Sequence, residues 1–288
     1  MRRGRTAILP RVATALGLPA LLLVGLAASP AGADARTGDP WLFGGRVAPL
    51  EGSVISERPG FSSSPDATPV GRFNVEAGLE YGHEEQGAQD VDSVALPFAL
   101  LRVGLVERLE LRLGWGGLVE SEIGSRSRDE IADPALGFKW QITQGSARLP
   151  RVGFIFEVSL PVGEGTGSDE AEVVGALAWS QPLSERIGLF GTSTVARRAS
   201  AAETGSGDDL VESTHAAGVG LALGPRWGSF VEYFVSVEDD AGVDVSQVLD
   251  GGLTFLWTES LQLDLSAGAG LDGGARDLFL AAGAAYRW

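Results

Sequence analysis

The sequence predicts an all-β protein, an up-and-down antiparallel transmembrane β-barrel of about 12 strands. Three observations predict this fold: apolar and polar residues alternate from Arg72 onward, short and long connections alternate along the chain, and tryptophans recur at one end of the strands. Beyond residue 33, no apolar run approaches the roughly 18 residues of a membrane-spanning helix. Such a chain crosses a membrane as a closed barrel, because a barrel also satisfies every backbone hydrogen-bonding group in lipid.

Residues 1–33 have the features of a secretory signal peptide. Three of the first five residues are arginines, an apolar stretch follows, and Ala31-Gly32-Ala33 is a small-residue cleavage site, with cleavage after Ala35 as the alternative. A membrane anchor is the competing interpretation, but the stretch is interrupted by Gly and Pro and is short for a span of about 20 residues. We expect export through a cleaved signal peptide to the outer membrane of a Gram-negative-type bacterium.

Residues 34–70 form the second predicted region. They lack the alternating pattern and contain five prolines, which favours an extended periplasmic or lumen segment over a separate domain. The outer-membrane β-barrel itself is predicted over residues 71–288.

Charge and composition exclude several classes of function. The net charge of −16 becomes −20 once the four arginines of residues 1–33 are removed, which argues against nucleic-acid partners. The chain has no cysteine, so it forms neither disulfides nor thiolate metal sites and has no cysteine nucleophile. Its 41 glycines and single methionine favour a β-rich fold over a helical one.

Alternation with period 2 is clearest in residues 73–81, where Phe73, Val75 and Leu79 lie on one face and Glu76 and Glu80 on the other. Eleven further segments are assigned as strands: 93–103, 109–115, 136–142, 152–160, 173–179, 187–196, 219–223, 231–235, 249–257, 261–271 and 278–288. Of these, 187–196 is weakly patterned, and Pro97 predicts a bulge in 93–103.

The connections alternate in length, as in an outer-membrane barrel with short periplasmic turns and long external loops. Short ones lie near 104–108, 143–148, 183–186, 224–226 and 258–260, and longer polar ones at 83–92, 120–131, 161–170, 197–212, 237–246 and 272–277. A soluble β-sandwich also alternates. The tryptophans decide against it, because they fall on the apolar parity at the predicted periplasmic ends, as an interfacial girdle does. These are Trp140, Trp179, Trp227, Trp257 and Trp288.

Several short motifs resemble one bacterial family. They are Glu57-Arg58-Pro59-Gly60-Phe61 and the residues to Pro65, Phe73-Asn74-Val75-Glu76-Ala77-Gly78, Leu101-Arg102-Val103-Gly104-Leu105, Glu110-Leu111-Arg112, Val231-Glu232-Tyr233-Phe234 and Leu261-Gln262-Leu263-Asp264. In this order, over about residues 57–288, the chain resembles the "MetA-pathway of phenol degradation" family. It departs at Gly60, where the family pattern has an acidic residue. The resemblance implies an outer-membrane barrel with a transport role, and its label establishes no substrate.

Charged residues on the inward parity are the candidate lumen-lining and selectivity residues, because charge facing lipid costs about 2–4 kcal/mol per Arg or Lys at the midplane. They are Arg72, Glu76, Glu80, Arg102, Glu110, Arg112, Lys139, Glu157, Glu232, Asp250, Asp264 and Arg287. One interpretation is a polar conduit that selects and orients a small solute. The other is that these acids and bases neutralise one another and fill a closed barrel.

Catalytic interpretations of these residues are weaker. Glu76, Glu80 and Glu110 are better explained as a structural network than as paired catalytic carboxylates. A lipid hydrolase would need Ser193 or Ser213 beside His215, but the G-x-S-x-G elbow is missing and both histidines fall on the outward parity. We therefore expect no catalytic residue and no cofactor. We also expect no metal site, because the acidic loops contain no calcium-loop motif.

The leading hypothesis is a passive outer-membrane channel for small solutes, including aromatic, phenol-type compounds. Its constriction would be lined by Arg72, Arg112 and Lys139 opposite Glu76, Glu110, Glu157 and Asp264. The alternatives are a plugged structural or surface-interaction barrel and a lipid-modifying enzyme. Expected partners are outer-membrane lipid, lipopolysaccharide, the barrel-assembly machinery and a small-molecule solute, and the apolar last strand ending in Trp288 suits the assembly machinery.

Overall fold

A computed structural model describes residues 38–86, 89–124, 126–163, 170–198, 210–239 and 243–288. The predicted signal peptide lies outside the described residues. Within the described ranges, no helix has the length and apolar character needed to cross a membrane.

Fourteen strands occupy the described part of the chain. They are β1 (Phe73–Gln86), β2 (Gln89–Val106), β3 (Leu109–Trp115), β4 (Leu118–Ile123), β5 (Arg126–Ile131), β6 (Pro134–Gln144), β7 (Arg151–Ser159), β8 (Val173–Pro182), β9 (Ile187–Arg198), β10 (Leu210–Ala222), β11 (Trp227–Asp239), β12 (Val243–Thr258), β13 (Leu261–Gly270) and β14 (Leu278–Arg287).

These strands form one closed antiparallel barrel of twelve. From β6 to β14, each strand pairs with the next one in the chain. β14 pairs with β1, β1 with β2, β2 with β3, and β3 with β6, which closes the ring. β2 pairs with β3 along one half and with β4 along the other, so β3 and β4 are two parts of one strand interrupted at residues 116–117. β5 and β6 are likewise one strand interrupted at residues 132–133. The prediction of an up-and-down barrel of about 12 strands is confirmed.

Two local predictions have different outcomes. The β1–β2 register shifts between Gly78 and Glu80, opposite Pro97, so the predicted bulge is confirmed. The prediction of a loop at residues 120–131 is wrong, because most of that segment forms the β4–β5 hairpin. Most side chains on both faces of this hairpin are exposed or half-buried, so apolar alternation is not required.

Strand parity sorts residues between the two faces of the barrel. On β13, Leu263 and Leu265 are 39% and 57% exposed, whereas Asp264 and Ser266 are 7% and 2% exposed. A soluble β-sandwich buries its apolar face instead. An apolar exterior around a polar interior is the arrangement of a barrel solvated by lipid.

The two ends of the barrel differ in their aromatic residues. We call the end at which Trp227 begins β11 and Trp288 follows β14 the tryptophan end, and the opposite end the loop end. Ring stacking of Phe73 on Trp288, with centroids 5.4 Å apart, joins the first and last strands at the tryptophan end. Trp140, Trp227 and Trp257 are about half exposed on the outer face, and Trp179 and Trp288 are partly buried.

Candidate functional site in the barrel lumen

The chain before β1 runs through the inside of the barrel. Hydrogen bonds and ion pairs join residues 51–68 to β1, β2, β3, β6, β7, β9, β11, β13 and β14. A single segment that touches inward-facing residues around most of a closed ring lies within the ring. We call residues 51–68 the lumen segment.

The lumen segment enters at the tryptophan end. The guanidinium of Arg287 donates to the carbonyl oxygens of residues 51–53, with the shortest distance, 2.6 Å, to Gly52. Slightly deeper, the amide of Asn74 donates to the carbonyl of Ile55 over 2.6 Å. Glu76 then accepts hydrogen bonds from the Ser56 hydroxyl and from the backbone N–H of residue 57. These contacts fix the entry direction of the segment.

Glu57 is the centre of a buried ion-pair cluster. Its carboxylate bonds to the Lys139 ammonium and lies 3.2 Å from Arg102 and 3.6 Å from Arg112. Glu110 bridges the same three cations, at 2.9 Å from Arg102, 3.1 Å from Arg112 and 3.5 Å from Lys139. With Glu76 of β1 and Glu157 of β7 at its edges, this cluster forms one charged wall of the lumen across the five neighbouring strands β1, β2, β3, β6 and β7.

Two further acids complete the cluster at its edges. Glu76 on β1 lies 3.2 Å from Arg102, and Glu157 on β7 lies 2.7 Å from Arg112.

Burial raises the pKa of Glu57, but the three cations around it outweigh burial and lower the pKa to about 2. Glu57 is consequently ionised at neutral pH and holds the lumen segment against the charged wall.

Arg58 points to the other side of the lumen. Its guanidinium pairs with Asp264 of β13 at 2.9 Å and lies over the ring of Phe98 at 4.4 Å from the centroid. Gly78 and Gly283 leave room for it, because a Cβ at either position would lie within 2.6 Å of the guanidinium group. Arg58 thus extends the contacts of the segment from β1 and β2 to β13 and β14.

Beyond Pro59 the segment crosses the lumen and returns. The backbone N–H groups of Phe61 and Ser62 donate to Glu232 on β11, at 2.7 and 3.4 Å. Ser63 N–H then donates to the Thr192 hydroxyl on β9 at 2.9 Å. At the end of the returning limb, just before β1, the backbone N–H of Thr68 donates to Glu110 on the charged wall over 2.6 Å. The segment is a hairpin-like loop held at both limbs.

Two cavities border the lumen segment. One, of about 250 Å³, is lined by Glu57, Arg58, Pro59, Gly60, Phe61, Glu76, Glu80, Phe98, Ala99, Leu100, Phe279 and Ala281. The other, of about 200 Å³, is lined by Ser56, Glu57, Arg58, Pro59, Gly60, Ser62, Phe190, Gly228, Ser229, Phe230 and Thr254. Strand register places the second cavity nearer the tryptophan end and the first nearer the loop end. Residues 57–60 border both cavities and lie between them.

The predicted inward-parity residues fall into three groups. Glu76, Arg102, Glu110, Arg112, Lys139 and Glu157 meet in the charged wall. Glu232, Asp250 and Asp264 lie on the opposite wall and are buried. Arg72, Glu80 and Arg287 lie toward the ends, where Arg72 donates to the carbonyl of Ala48 and Glu80 pairs with Arg276. Arg72 is therefore not part of the charged wall.

Sequence reasoning assigned no role to the residues that organise this site. Glu57, Arg58 and Phe61 lie on irregular backbone, where no periodicity predicts the direction of a side chain. The only signal was their place in the Glu57-Arg58-Pro59 motif that carries the family resemblance.

Catalytic chemistry is not favoured by the geometry. His215 Nδ1 lies 3.0 Å from Ser193 Oγ, but this pair is on the outer face of the barrel, away from the lumen. Within the residues that the structure describes, no group of three or more His, Cys, Asp or Glu side chains is arranged to hold a metal ion.

The chain is similar to a known protein family and to solved barrel structures. A family model described as "Putative MetA-pathway of phenol degradation" matches residues 56–288. The COG4313 outer membrane channel from Pseudomonas putida F1 is 14% identical, with 80% of this chain and 99% of that chain covered at a TM-score of 0.61. The translocator domain of the autotransporter NalP from Neisseria meningitidis is 12% identical, with 77% and 90% covered at a TM-score of 0.50. Both structures share the barrel fold, and none of the curated proteins compared matches this chain.

Proposed function

Since the chain belongs to the family described by the phenol-degradation model, we propose that it is an outer-membrane channel for passive passage of small solutes, including single-ring aromatic compounds. The observation that carries the proposal is the cavity of about 250 Å³ between the charged wall and the loop end. Ligand pockets for drug-sized molecules span about 300–1,000 Å³, so this cavity suits a smaller solute.

The lining of this cavity supports an aromatic solute. Phe61, Phe98 and Phe279 contribute ring surface, and Phe61 meets Phe279 edge to face with centroids 5.6 Å apart. Arg58 can donate a hydrogen bond to a phenolic hydroxyl, and Glu80 can accept one from it. An apolar cavity with a few convergent polar groups is the usual form of a small-molecule site.

Passage would require a solute to move past residues 57–60. A solute entering from the loop end would meet the aromatic cavity first and the smaller cavity after this barrier. The barrier limits the size of the solute, and the charged wall beside it orients polar groups.

The apolar exterior supports placement in the outer membrane. The five predicted girdle tryptophans would lie at the periplasmic interface, where amphipathic rings are favoured. In this placement the last strand, ending in Trp288, is the surface offered to the barrel-assembly machinery. The acidic loop end faces lipopolysaccharide, with divalent cations between the two.

Two measurements test the proposal. In planar bilayers, purified protein should give discrete conductance steps that change in Glu110→Gln, and calorimetry in detergent should detect phenol binding. Phe98→Ala should weaken phenol binding about fivefold, equivalent to about 1 kcal/mol. Phe138→Ala is the matched control, because Phe138 is 37% exposed on the outer face and should leave binding unchanged. Equal effects of the two variants would refute the aromatic site.

A closed barrel is the second candidate function. The many bonds between the lumen segment and the wall favour it, because a well-anchored segment of this kind fills the lumen. This candidate assigns the function to the loop end as an interaction surface. It expects no conductance, and discrete conductance steps in bilayers would exclude it.

A further inference from the structure

One row of inward-facing residues contains two acids and no base. Strand register places Phe190, Gly218, Glu232, Asp250, Gly268 and Phe279 side by side on the six strands from β9 to β14. Glu232 and Asp250 lie directly opposite each other and are 0% and 3% exposed. Glycines flank the pair on both sides. No side chain of this row therefore neutralises the two acids.

The carboxylate oxygens of this pair are largely unpartnered. One oxygen of Glu232 accepts the backbone N–H groups of Phe61 and Ser62. The other oxygen of Glu232 and both oxygens of Asp250 have no hydrogen-bond partner among the described residues. The hydroxyl of Ser266 is 2% exposed and equally unpartnered; Ser266 is opposite Gly252, one inward position along β13 from the residue opposite Asp250. Buried polar groups are normally satisfied, so these four oxygen atoms, on neighbouring inward positions of β11, β12 and β13, are the atoms that a bound ligand would contact.

Two aromatic rings pack over the glycines next to this pair. The ring of Phe279 lies over Gly268, 2.2 Å from where a Cβ would be, and the ring of Phe230 lies over Gly252 at 2.6 Å. These two glycines are the inward-facing neighbours of Asp250, across and along the sheet. Aromatic faces and carboxylates both attract cations. Two adjacent buried carboxylates also disfavour joint ionisation unless a positive charge lies between them.

We propose that Glu232 and Asp250, with the Ser266 hydroxyl, form a lumen site for one monovalent cation. The ligand chemistry is a singly charged positive ion, either an inorganic ion or the ammonium group of a small amine. The site lies next to Gly60, which borders both cavities and whose Cβ position is 2.6 Å from Glu232. A cation reaches it from either end, and this access route is the only part that rests on the proposed channel function.

The test is rubidium binding by the full chain. Crystals soaked in rubidium chloride should give an anomalous peak between Glu232 and Asp250, and titration calorimetry in detergent should measure the affinity. Asp250→Asn should weaken binding at least tenfold. Asp264→Asn is the matched control, because the Asp264 carboxylate already pairs with Arg58, and it should retain the peak. Methylammonium that displaces rubidium would extend the ligand to amines, and failure to displace it would restrict the ligand to inorganic ions.

The outcomes separate the two proposals. Absence of the peak in the wild-type protein, or an equal affinity in Asp250→Asn, would overturn the cation site. A wild-type peak in a protein that never conducts would support the site and refute the channel. Should Asp250→Asn fail to fold, calorimetry of the wild-type protein decides the question, since rubidium chloride should bind and choline chloride at the same ionic strength should bind less.

Discussion

The carboxylate of Glu57, on the segment before the barrel, bonds to the ammonium of Lys139 on β6, 82 residues later in the chain. Both side chains are buried, at 8% and 0% exposure. The pair connects an irregular segment to the centre of a membrane barrel. The lumen segment consequently contributes to the stability of the barrel.

Lys139→Met should destabilise the protein strongly. Removing one partner of a buried ion pair leaves uncompensated charge, here on Glu57 and Glu110, at a cost of about 3–5 kcal/mol. Urea unfolding of vesicle-inserted protein, followed by tryptophan fluorescence, measures the free energy of unfolding. Arg108→Gln is the matched control: its pair with Glu107 is exposed and should contribute at most about 1 kcal/mol. Similar losses in both variants would contradict the buried cluster.

The contribution of Glu57 should depend on pH. Its pKa in the folded protein is about 2, below the ordinary value of 4.5, so its stabilisation is complete above pH 4.5 and is lost as pH falls toward 2. We expect Glu57→Gln to be less stable than the wild type by about 3 kcal/mol at pH 7. That difference should shrink between pH 4.5 and 2 in unfolding experiments. A difference that stays constant over this range would show that the charge of Glu57 is irrelevant.

Gly60→Val should displace the turn of the lumen segment. A Cβ at this position would lie 2.6 Å from the Glu232 carboxylate and 3.1 Å from the ring of Phe230. Overpacking of this kind costs about 1–3 kcal/mol, measurable by urea unfolding. Gly224→Ala meets nothing within 4 Å and should stay within about 0.5 kcal/mol of the wild type. An unchanged Gly60→Val protein would mean that the segment is not seated on Glu232.

Strand parity explains why so much of the fold follows from the sequence. On a barrel strand, odd and even positions face lipid and lumen, so the placement of Asp264 inside and Leu265 outside is set by counting from one end. The same counting found most of the charged wall, including Glu110 and Lys139. It could not show that Arg72 lies apart from that wall, because parity gives direction but not height within the lumen.

Other features could not be predicted because the governing rule does not apply to them. The lumen segment has no period, so the direction of Glu57 and Arg58 depends on contacts with distant strands. The β4–β5 hairpin was predicted to be a loop because its sequence is polar on both faces: Arg126 and Arg128 lie on one face of β5 and Ser127 and Asp129 on the other. Outside the apolar band, water solvates both faces of a strand, and the alternating pattern that reveals a strand disappears.

Single-channel recording in planar bilayers, with phenol added to one side, tests the proposed channel most directly. The account predicts discrete conductance steps from the wild-type protein, with phenol shortening the open periods as it occupies the aromatic cavity, and less so in Phe98→Ala than in Phe138→Ala. A correctly folded barrel that remains electrically silent, or one whose current phenol leaves unchanged in every variant, would contradict it.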